Sequence, residues 1–330
     1  MKEKVKFYGS IFILIVFIPY LVTVYLHGSI GGLFSGNGED EQLEQQTVSQ
    51  LAAQIPADYE MECLKAQAVI ARTNLYREME EAEAAGNEES GESDVQTGSQ
   101  SEETAGSEGN ESAESMEESS SSDAGWSEEQ MRSAWGEDYE RNLEKLETAV
   151  SETEGEILIF DGDPIQAAYH TASSGKTRNA EEVPGQEEYT YLQSVDSEED
   201  IQKDGFLYIG YMGKEDFAAA LQPLFSGETV EAGQLPGALQ IVKRDSAGYV
   251  TQVQYGSTIV NGEAVRSALG LNSACFYFSE LEGKIRIVTK GIGHGLGFSQ
   301  YGAEQKAERG WDYEELLEYY YQDVKIQRIK

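Results

Sequence analysis

A long acidic segment of low complexity interrupts this chain and constrains what the rest of it can fold into. Residues 79–125 consist mainly of Glu, Ser, Gly, Ala and Asn, with no basic residue and almost no large apolar one. Such a composition cannot bury enough apolar surface to offset the entropy lost on ordering. We therefore expect a disordered insertion in a globular domain that is discontinuous in sequence. Whether the insertion is a spacer, a docking segment or only a tolerated surface insertion stays open.

The N-terminal region contains an apolar segment of the length that a membrane helix needs. Lys2, Lys4 and Lys6 precede residues 7–26, which carry no charge. About 20 such residues can cross the hydrocarbon core as a helix. Basic residues before the segment and acidic ones after it predict a cytoplasmic N-terminus and an extracytoplasmic remainder. A cleaved signal peptide is the alternative, and it leaves the folded domain outside the cytoplasm as well.

These two segments suggest a domain organisation. We expect a membrane anchor over residues 1–27, a polar linker over 28–46, and one domain over 47–330 that contains the acidic insertion over 79–125. The formal net charge of −36 argues against nucleic acid as a partner, because phosphate binding requires a basic surface. Only two cysteines are present, so no disulfide framework stabilises the fold, and whether Cys63 pairs with Cys275 is open.

The remaining periodicities predict an α+β fold with helices and antiparallel strands. Apolar residues recur at helical spacing after Pro56, and residues 156–170 show the pattern of a strand, a turn and a second strand. Helices are also predicted from Trp126 onward, over 139–150, 300–309 and 313–320, and strands over 238–243, 250–255 and 284–289.

Glycines alternate with other residues over 291–297, around His294, just before a predicted helix. Glycine removes side-chain bulk and permits positive φ, so another chain or an extended ligand could approach this backbone closely. A tight turn with ordinary packing between a strand and a helix explains the pattern equally well. The sequence contains no dinucleotide or phosphate-loop fingerprint that would name a ligand.

Glu62 lies in the first turn of the helix that follows Pro56, with Ala66, Val69 and Thr73 on the same face. This spacing places the carboxylate beside an apolar patch rather than among other charges. An acid catalyst at this position requires desolvation, because the positive end of the helix favours the ionised form. The alternative is that Glu62 only complements the helix end.

A metal or another cofactor is not expected. The sequence has three histidines, and neither His170 nor His294 has a second ligand at helical or turn spacing. His170 instead leads into the hydroxyl-rich segment 171–177, which could bind a sugar or cap a helix.

Four segments, taken in order, resemble the signature blocks of the stage II sporulation protein D family. They are residues 62–73 (ECLKAQAVIART), 169–177 (YHTASSGKT), 192–196 (LQSVD) and 293–303 (GHGLGFSQYGA). The resemblance covers roughly residues 47–327 apart from the acidic insertion, and it includes the N-terminal anchor. Cys63 departs from the family pattern, which usually has alanine there.

The resemblance implies a lytic transglycosylase that cleaves the MurNAc-GlcNAc β-1,4 bond of peptidoglycan, with a preference for strands stripped of stem peptides. The matching catalytic residue is Glu62, which would protonate the glycosidic oxygen and then accept the proton of the muramyl C6 hydroxyl. A hydrolase would normally require a second carboxylate. Apart from Asp196, at the end of the third block, no second one stands in a signature block outside the helix of Glu62.

The other positions in these blocks are candidates for binding the glycan. Arg72 could brace the groove, and hydrogen-bonding or aromatic groups suit sugar contacts. These candidates are His170, Ser173, Ser174, His294, Gln300 and Tyr301.

The resemblance also implies a setting. It places the protein in the septal wall of an endospore former during engulfment, alongside a cell-wall amidase and other engulfment membrane proteins. Two alternatives remain: a wall-binding enhancer of an amidase that cleaves no bond itself, and a purely structural septal protein.

Overall fold

The computed structural model describes residues 38–89 and 125–329. The predicted anchor over 1–27 lies outside these residues, and so do residues 90–124 of the acidic insertion. None of the helices in the described ranges combines the length and the apolar character that crossing a bilayer requires.

The described residues form an α+β fold, as predicted. Its helices are α1 Gly38–Gln54, α2 Met61–Glu89, α3 Glu128–Trp135, α4 Tyr139–Glu152, α5 Lys214–Leu221, α6 Gly262–Leu269, α7 Gln300–Ala307 and α8 Tyr313–Tyr320. Its strands are β1 Glu156–Phe160, β2 Asp163–Pro164, β3 Tyr169–His170, β4 Leu207–Gly213, β5 Leu239–Arg244, β6 Val250–Tyr255, β7 Thr258–Asn261, β8 Phe276–Leu281, β9 Lys284–Lys290, β10 Phe298–Ser299 and β11 Lys325–Arg328. Pairing is antiparallel except between β3 and β10.

The boundaries of the first two helices differ from the prediction. Helix α1 begins at Gly38, so residues 38–46 are not part of a linker, and Leu43 is buried against the core. Leu43 and Leu51 are spaced to share one face of a helix. Helix α2 continues to Glu89, into the segment predicted to be disordered from residue 79. Glu and Ala favour the helix strongly enough to extend it beyond the core.

A first hydrophobic core joins α1, α2, α4 and α8 to strand β1. Leu64 and Ala68 of α2 are fully buried there, which confirms the apolar stripe predicted from their spacing. The predicted hairpin over 156–170 is shorter than expected, because β1 pairs with β2 and with β11, whereas β3 pairs with β10.

A second core lies between two three-stranded sheets and two helices. The sheets have the strand orders β4-β9-β8 and β5-β6-β7, and α5 and α6 pack against them. Strands β5, β6 and β9 match the prediction, whereas β4, β7 and β8 were not predicted. The sequence predicts one domain over residues 47–330, and the described residues contain two hydrophobic cores. Cys63 lies in the first core and Cys275 in the second, both as free thiols.

A buried arginine connects the two cores. Arg178 follows the hydroxyl-rich segment of the first core and is almost completely buried. Its guanidinium contacts Asp245 at 2.6 Å and Glu263 at 2.5 Å. Asp245 directly follows strand β5, and Glu263 lies in helix α6, both of which belong to the second core. The same guanidinium donates to the carbonyl oxygen of His294 at 3.1 Å. The glycine-rich segment therefore lies between the two cores.

Candidate active site

Glu62 lies in the first turn of α2, where its carboxylate is held but still reachable from solvent. Its Oε1 accepts a hydrogen bond from Lys65 Nζ at 2.8 Å, and its Oε2 accepts one from the Tyr313 N–H at 3.1 Å. The side chain is 32% exposed. Because Tyr313 is the first residue of α8, Glu62 faces the positive N-terminal end of that helix as well as that of its own helix.

Lys65 is shared between two carboxylates. Its Nζ also lies 2.6 Å from a carboxylate oxygen of Glu152 on α4. Burial alone would lower the pKa of Lys65, but the hydrogen bonds to Glu152 and Glu62 outweigh burial and raise it. The prediction that Glu62 lies apart from other charges is therefore wrong. The spacing of Glu62 and Lys65, three residues apart on a helix, is the sequence signal from which this ion pair could have been predicted.

A second carboxyl group, Glu304, lies close to the start of α2. Its Oε2 accepts a hydrogen bond from the Glu60 N–H at 2.7 Å, and the residue is buried. Burial, together with the nearby charges of Glu60 and Glu308, raises the pKa of Glu304 from 4.5 to about 7, although the hydrogen bond from the Glu60 N–H and the charge of Lys145 act to lower it. Near neutral pH this carboxyl is therefore partly protonated.

No motif in the sequence indicated Glu304 as part of the site. It directly follows Ala303, the last residue of the fourth signature block, and lies in α7. Only the packing of α7 against α2 brings it to Glu60, 244 residues away in sequence. The structure thus places one accessible and one buried carboxyl group at the start of the same helix.

Arg72 does not reach the surface. It is completely buried, and its guanidinium contacts the Glu44 carboxylate at 2.6 Å. It also donates to the carbonyl oxygens of Val150 at 3.0 Å and Glu156 at 3.1 Å. Arg72 therefore joins α1, α2, α4 and β1, and the predicted role in substrate binding does not fit its position.

Two more predicted sugar contacts are buried and bonded within the protein. The Ser173 hydroxyl donates to Asp200 Oδ2 at 2.6 Å, and the Ser299 hydroxyl donates to the same carboxylate. Gln300 Nε2 donates to the Gln54 carbonyl oxygen at 2.8 Å, which links α7 to α1. Ser173 and Gln300 thus stabilise the framework behind the site.

His170 of the second signature block and His294 of the fourth lie close together and both contact the backbone of Leu296. Their rings lie 5.8 Å apart, and Leu296 links them: its carbonyl oxygen lies 3.0 Å from His170 Nδ1, and its N–H donates to His294 Nδ1 at 3.1 Å. Burial lowers the pKa of His170 to about 4. Burial also lowers the pKa of His294 well below its usual value, with His170, Arg266 and Arg178 acting in the same direction. Both rings are neutral at physiological pH.

His294, Ser174 and Tyr301 remain half-buried, so each keeps a surface that a ligand could contact. The Ser174 hydroxyl donates to the Ala247 carbonyl oxygen at 2.7 Å. The Tyr301 ring has Lys203 Nζ 5.3 Å from its centre. Within the described ranges, no three His, Cys, Asp or Glu side chains come together as ligands of a metal ion would.

Backbone pairing brings the signature blocks together. Strands β3 and β10 pair in parallel, with Tyr169 opposite Phe298 and His170 opposite Ser299. The third block joins through Thr177, whose N–H donates to the Val195 carbonyl oxygen at 2.9 Å. Segments more than 100 residues apart therefore form one continuous framework behind the start of α2.

Comparison with known proteins connects this framework to a family. The model of the stage II sporulation protein family matches residues 39–160. The stage II sporulation protein D of Bacillus amyloliquefaciens is 31% identical over 288 residues, which cover 87% of this chain and 75% of that protein. The protein of the same name from Bacillus subtilis is also 31% identical, over 290 residues and the same shares. An amidase enhancer of Bacillus subtilis is 24% identical over 220 residues, 52% of this chain and 31% of that protein.

Proposed function

Because the chain belongs to the stage II sporulation protein D family, we propose that it is a lytic transglycosylase that cleaves MurNAc-GlcNAc β-1,4 bonds of peptidoglycan. The observation that carries this proposal is the position and the solvent accessibility of the Glu62 carboxylate. It is a partly exposed carboxylate, fixed at a helix start, in the block that matches the family's catalytic position.

One carboxyl group serves both halves of the reaction. Glu62 in its acid form gives its proton to the glycosidic oxygen as the bond from C1 to that oxygen breaks. The muramyl C6 hydroxyl oxygen then bonds to C1, and the Glu62 carboxylate accepts the hydroxyl proton. The product is a 1,6-anhydro sugar, no water is consumed, and the enzyme returns to its starting state.

The contacts of Glu62 suggest how its two oxygens divide the work. The Tyr313 N–H belongs to a helix end and can hold Oε2 throughout. The flexible Lys65 ammonium can shift from Oε1 to Glu152, its other partner. Oε1 is then the oxygen that carries the proton. Exclusion of water by the bound sugar would favour the protonated form.

We place this activity in the septal wall during sporulation, on a domain held outside the cytoplasm by an N-terminal membrane helix. A cell-wall amidase would supply the stripped glycan strands, and other engulfment membrane proteins would be neighbours. His294, Ser174 and Tyr301 are the predicted sugar contacts that retain accessible surface for this role.

The test uses the full-length chain and purified glycan strands without stem peptides, with mass spectrometry of the products. We expect anhydro-ended fragments from the wild-type protein, and a loss of at least 100-fold in their rate of formation with Glu62→Gln. Glu60→Gln is the matched control, because that exposed carboxylate lies two residues away and the substitution keeps the backbone N–H that donates to Glu304.

The products distinguish the proposal from its rivals. Fragments with reducing ends would indicate a hydrolase and contradict the proposed single-carboxyl reaction. Intact glycan that still binds the protein would favour the second candidate, a non-catalytic amidase enhancer. The relationship to an amidase enhancer is the observation behind that candidate.

A further inference from the structure

Among the residues that the structure describes, none forms a layer over one face of the sheet β4-β9-β8. Ile285, Ile287 and Phe276 point from this sheet into the second core. The strand register identifies the residues whose side chains lie on the opposite side of the sheet. We call this opposite side the open face, and it consists of Leu207, Ile209, Tyr211, Gly213, Tyr277, Ser279, Leu281, Lys284, Arg286, Val288 and Lys290.

The open face exposes large apolar side chains to solvent. Leu207 is 52% exposed, Ile209 43%, Tyr211 55% and Tyr277 41%. Ile209, Val288 and Tyr277 lie directly opposite one another on adjacent strands, so they form a continuous row. A contiguous exposed apolar surface of this kind is typical of an interaction site, whereas isolated exposed residues are not.

The charges of the open face are all positive. Lys284, Arg286 and Lys290 alternate along β9, and none of them forms a salt bridge with another of the described residues. The Arg244 guanidinium lies 4.2 Å from the centre of the Tyr277 ring at the same side. In a chain with a formal net charge of −36, this unpaired basic row stands out as a site for a negatively charged partner.

In the described part of the chain, no strand pairs with the outer edge of β4. It is the first strand in the order β4-β9-β8 and has seven residues. Soluble proteins usually protect such an edge with charges, proline or a bulge. Strand β4 contains no charged residue and no proline, and its register with β9 is continuous.

We propose that β4 and the open face bind an extended segment of a partner protein that carries both apolar and acidic residues at every second position, so that all of these side chains face the same side of the sheet. The segment adds to the free edge of β4 as a further strand, and its backbone hydrogen-bonds to β4. Its apolar side chains pack beside Leu207, Ile209 and Tyr211. Its acidic side chains reach towards the basic row of β9.

The spacing of the strands permits these contacts. Adjacent strands lie about 4.8 Å apart, so the added strand is about 10 Å from β9, within the combined reach of a glutamate and an arginine. A second copy of this chain fits less well, because pairing β4 with β4 adds no negative charge and places two basic rows on one surface. The partner is therefore a different, acidic protein segment.

The test uses a fluorescent ten-residue peptide in which every second position is in turn valine or glutamate and the positions between them are threonine, with the full-length chain, followed by fluorescence anisotropy. A peptide with lysine in place of every glutamate is the control probe. We expect the acidic peptide to bind and the lysine peptide to bind at least tenfold more weakly. Infrared spectra of an isotope-labelled acidic peptide should show the amide band of an ordered strand in the complex.

Variants locate the binding surface. We expect Arg286→Glu and Ile209→Lys each to weaken binding of the acidic peptide at least tenfold. Arg141→Glu and Ile259→Lys are matched controls at exposed positions away from the open face, and they should leave binding unchanged. Circular dichroism verifies that each variant is folded.

Three results would overturn the proposal. The first is equal binding of both peptides, or acidic-peptide binding that Arg286→Glu does not weaken. The second is a dimer in sedimentation experiments that Ile209→Lys dissociates, with no peptide bound, since this identifies a second copy as the occupant. The third is binding only after deletion of residues 90–124, since this identifies the chain's own acidic segment as the occupant.

Discussion

Glu62 and Glu304 lie near the same helix start in opposite electrostatic surroundings. Glu62 faces the Lys65 ammonium and the N–H of Tyr313, groups that favour a negative charge. Glu304 is buried near other carboxylates, which disfavour a negative charge. Neighbours that are distant in sequence therefore give two chemically identical side chains different roles.

The pKa of Glu304 predicts a pH dependence of stability. The folded-state pKa of about 7 lies above the unfolded value of 4.5, so the folded state binds the extra proton between these values. The free energy of unfolding therefore falls as pH rises from 4.5 to 7, by about 3 kcal/mol at most. In Glu304→Gln this contribution disappears. We therefore expect the free energy of unfolding of this variant, measured by urea denaturation, to change less between pH 4.5 and pH 7 than that of the wild-type protein.

Glu308→Gln is the control for this prediction, because it removes a nearby exposed carboxylate but leaves the proton-binding group in place. A Glu304→Gln variant with the same pH profile as the wild-type protein would contradict the assigned pKa.

The alternating glycines permit close packing within the chain itself. A Cβ at Gly293 would lie 2.7 Å from the His170 Cβ, and one at Gly297 would lie 2.1 Å from the Ala168 carbonyl oxygen. Of the two interpretations left open by the sequence, the tight turn with internal packing is therefore the one that these glycines support.

A matched pair of substitutions separates packing from backbone conformation. Gly293 and Gly162 have nearly equal φ values of 103° and 106°, but a Cβ at Gly162 meets nothing within 4 Å. We expect Gly162→Ala to cost about 1 kcal/mol for its φ alone. Gly293→Ala should cost about 2 kcal/mol more, because it also forces His170 to move. If thermal denaturation showed the same loss of stability in both variants, the side chain of His170 would be able to move without a measurable free-energy cost.

At the scale of elements, the helices with a buried apolar stripe were predictable, whereas their ends were not. The start of α1 depends on Glu44, whose partner Arg72 is 28 residues away, and no local pattern indicates that pair. Strands β4 and β8 escaped prediction because their exposed apolar side chains on the open face obscure the expected alternation with polar residues. Pairing with β9 decides their conformation.

The pair of Glu44 and Arg72 makes α1 part of the folded domain. Glu44→Gln leaves the Arg72 charge buried without its counter-charge, so we expect a loss of about 3–5 kcal/mol in urea denaturation. A chain that begins at residue 47 loses the same partner and should be at least as unstable. Glu41→Gln, one turn earlier and less buried, is the control, with an expected change below about 0.5 kcal/mol. If the shorter chain were as stable as the wild-type protein, residues 38–46 would not contribute to the folded domain and would be part of the linker.

At the scale of the whole molecule, Arg178 couples the two cores through Asp245 and Glu263. Arg178→Met leaves the buried Asp245 carboxylate without its arginine partner and removes one of the two arginine partners of Glu263, so we expect a loss of about 3–5 kcal/mol. We also expect calorimetry to resolve separate unfolding of the two cores. Arg141→Met, at an exposed ion pair with Asp138, should change stability by less than about 0.5 kcal/mol. A single transition in Arg178→Met would show that other contacts suffice for the coupling.

The sequence by itself determined the α+β class, the helix that carries Glu62 and the set of signature blocks, because periodicity and motif order are local properties of a chain. Only the tertiary structure decided which of those residues face solvent. Arg72, Ser173 and Gln300 have polar side chains that could equally bind a ligand or another part of the protein, and burial assigns them to the protein. The proximity of Glu304 to the start of α2 and the open face likewise depend on packing between distant segments, which spacing along the chain does not encode.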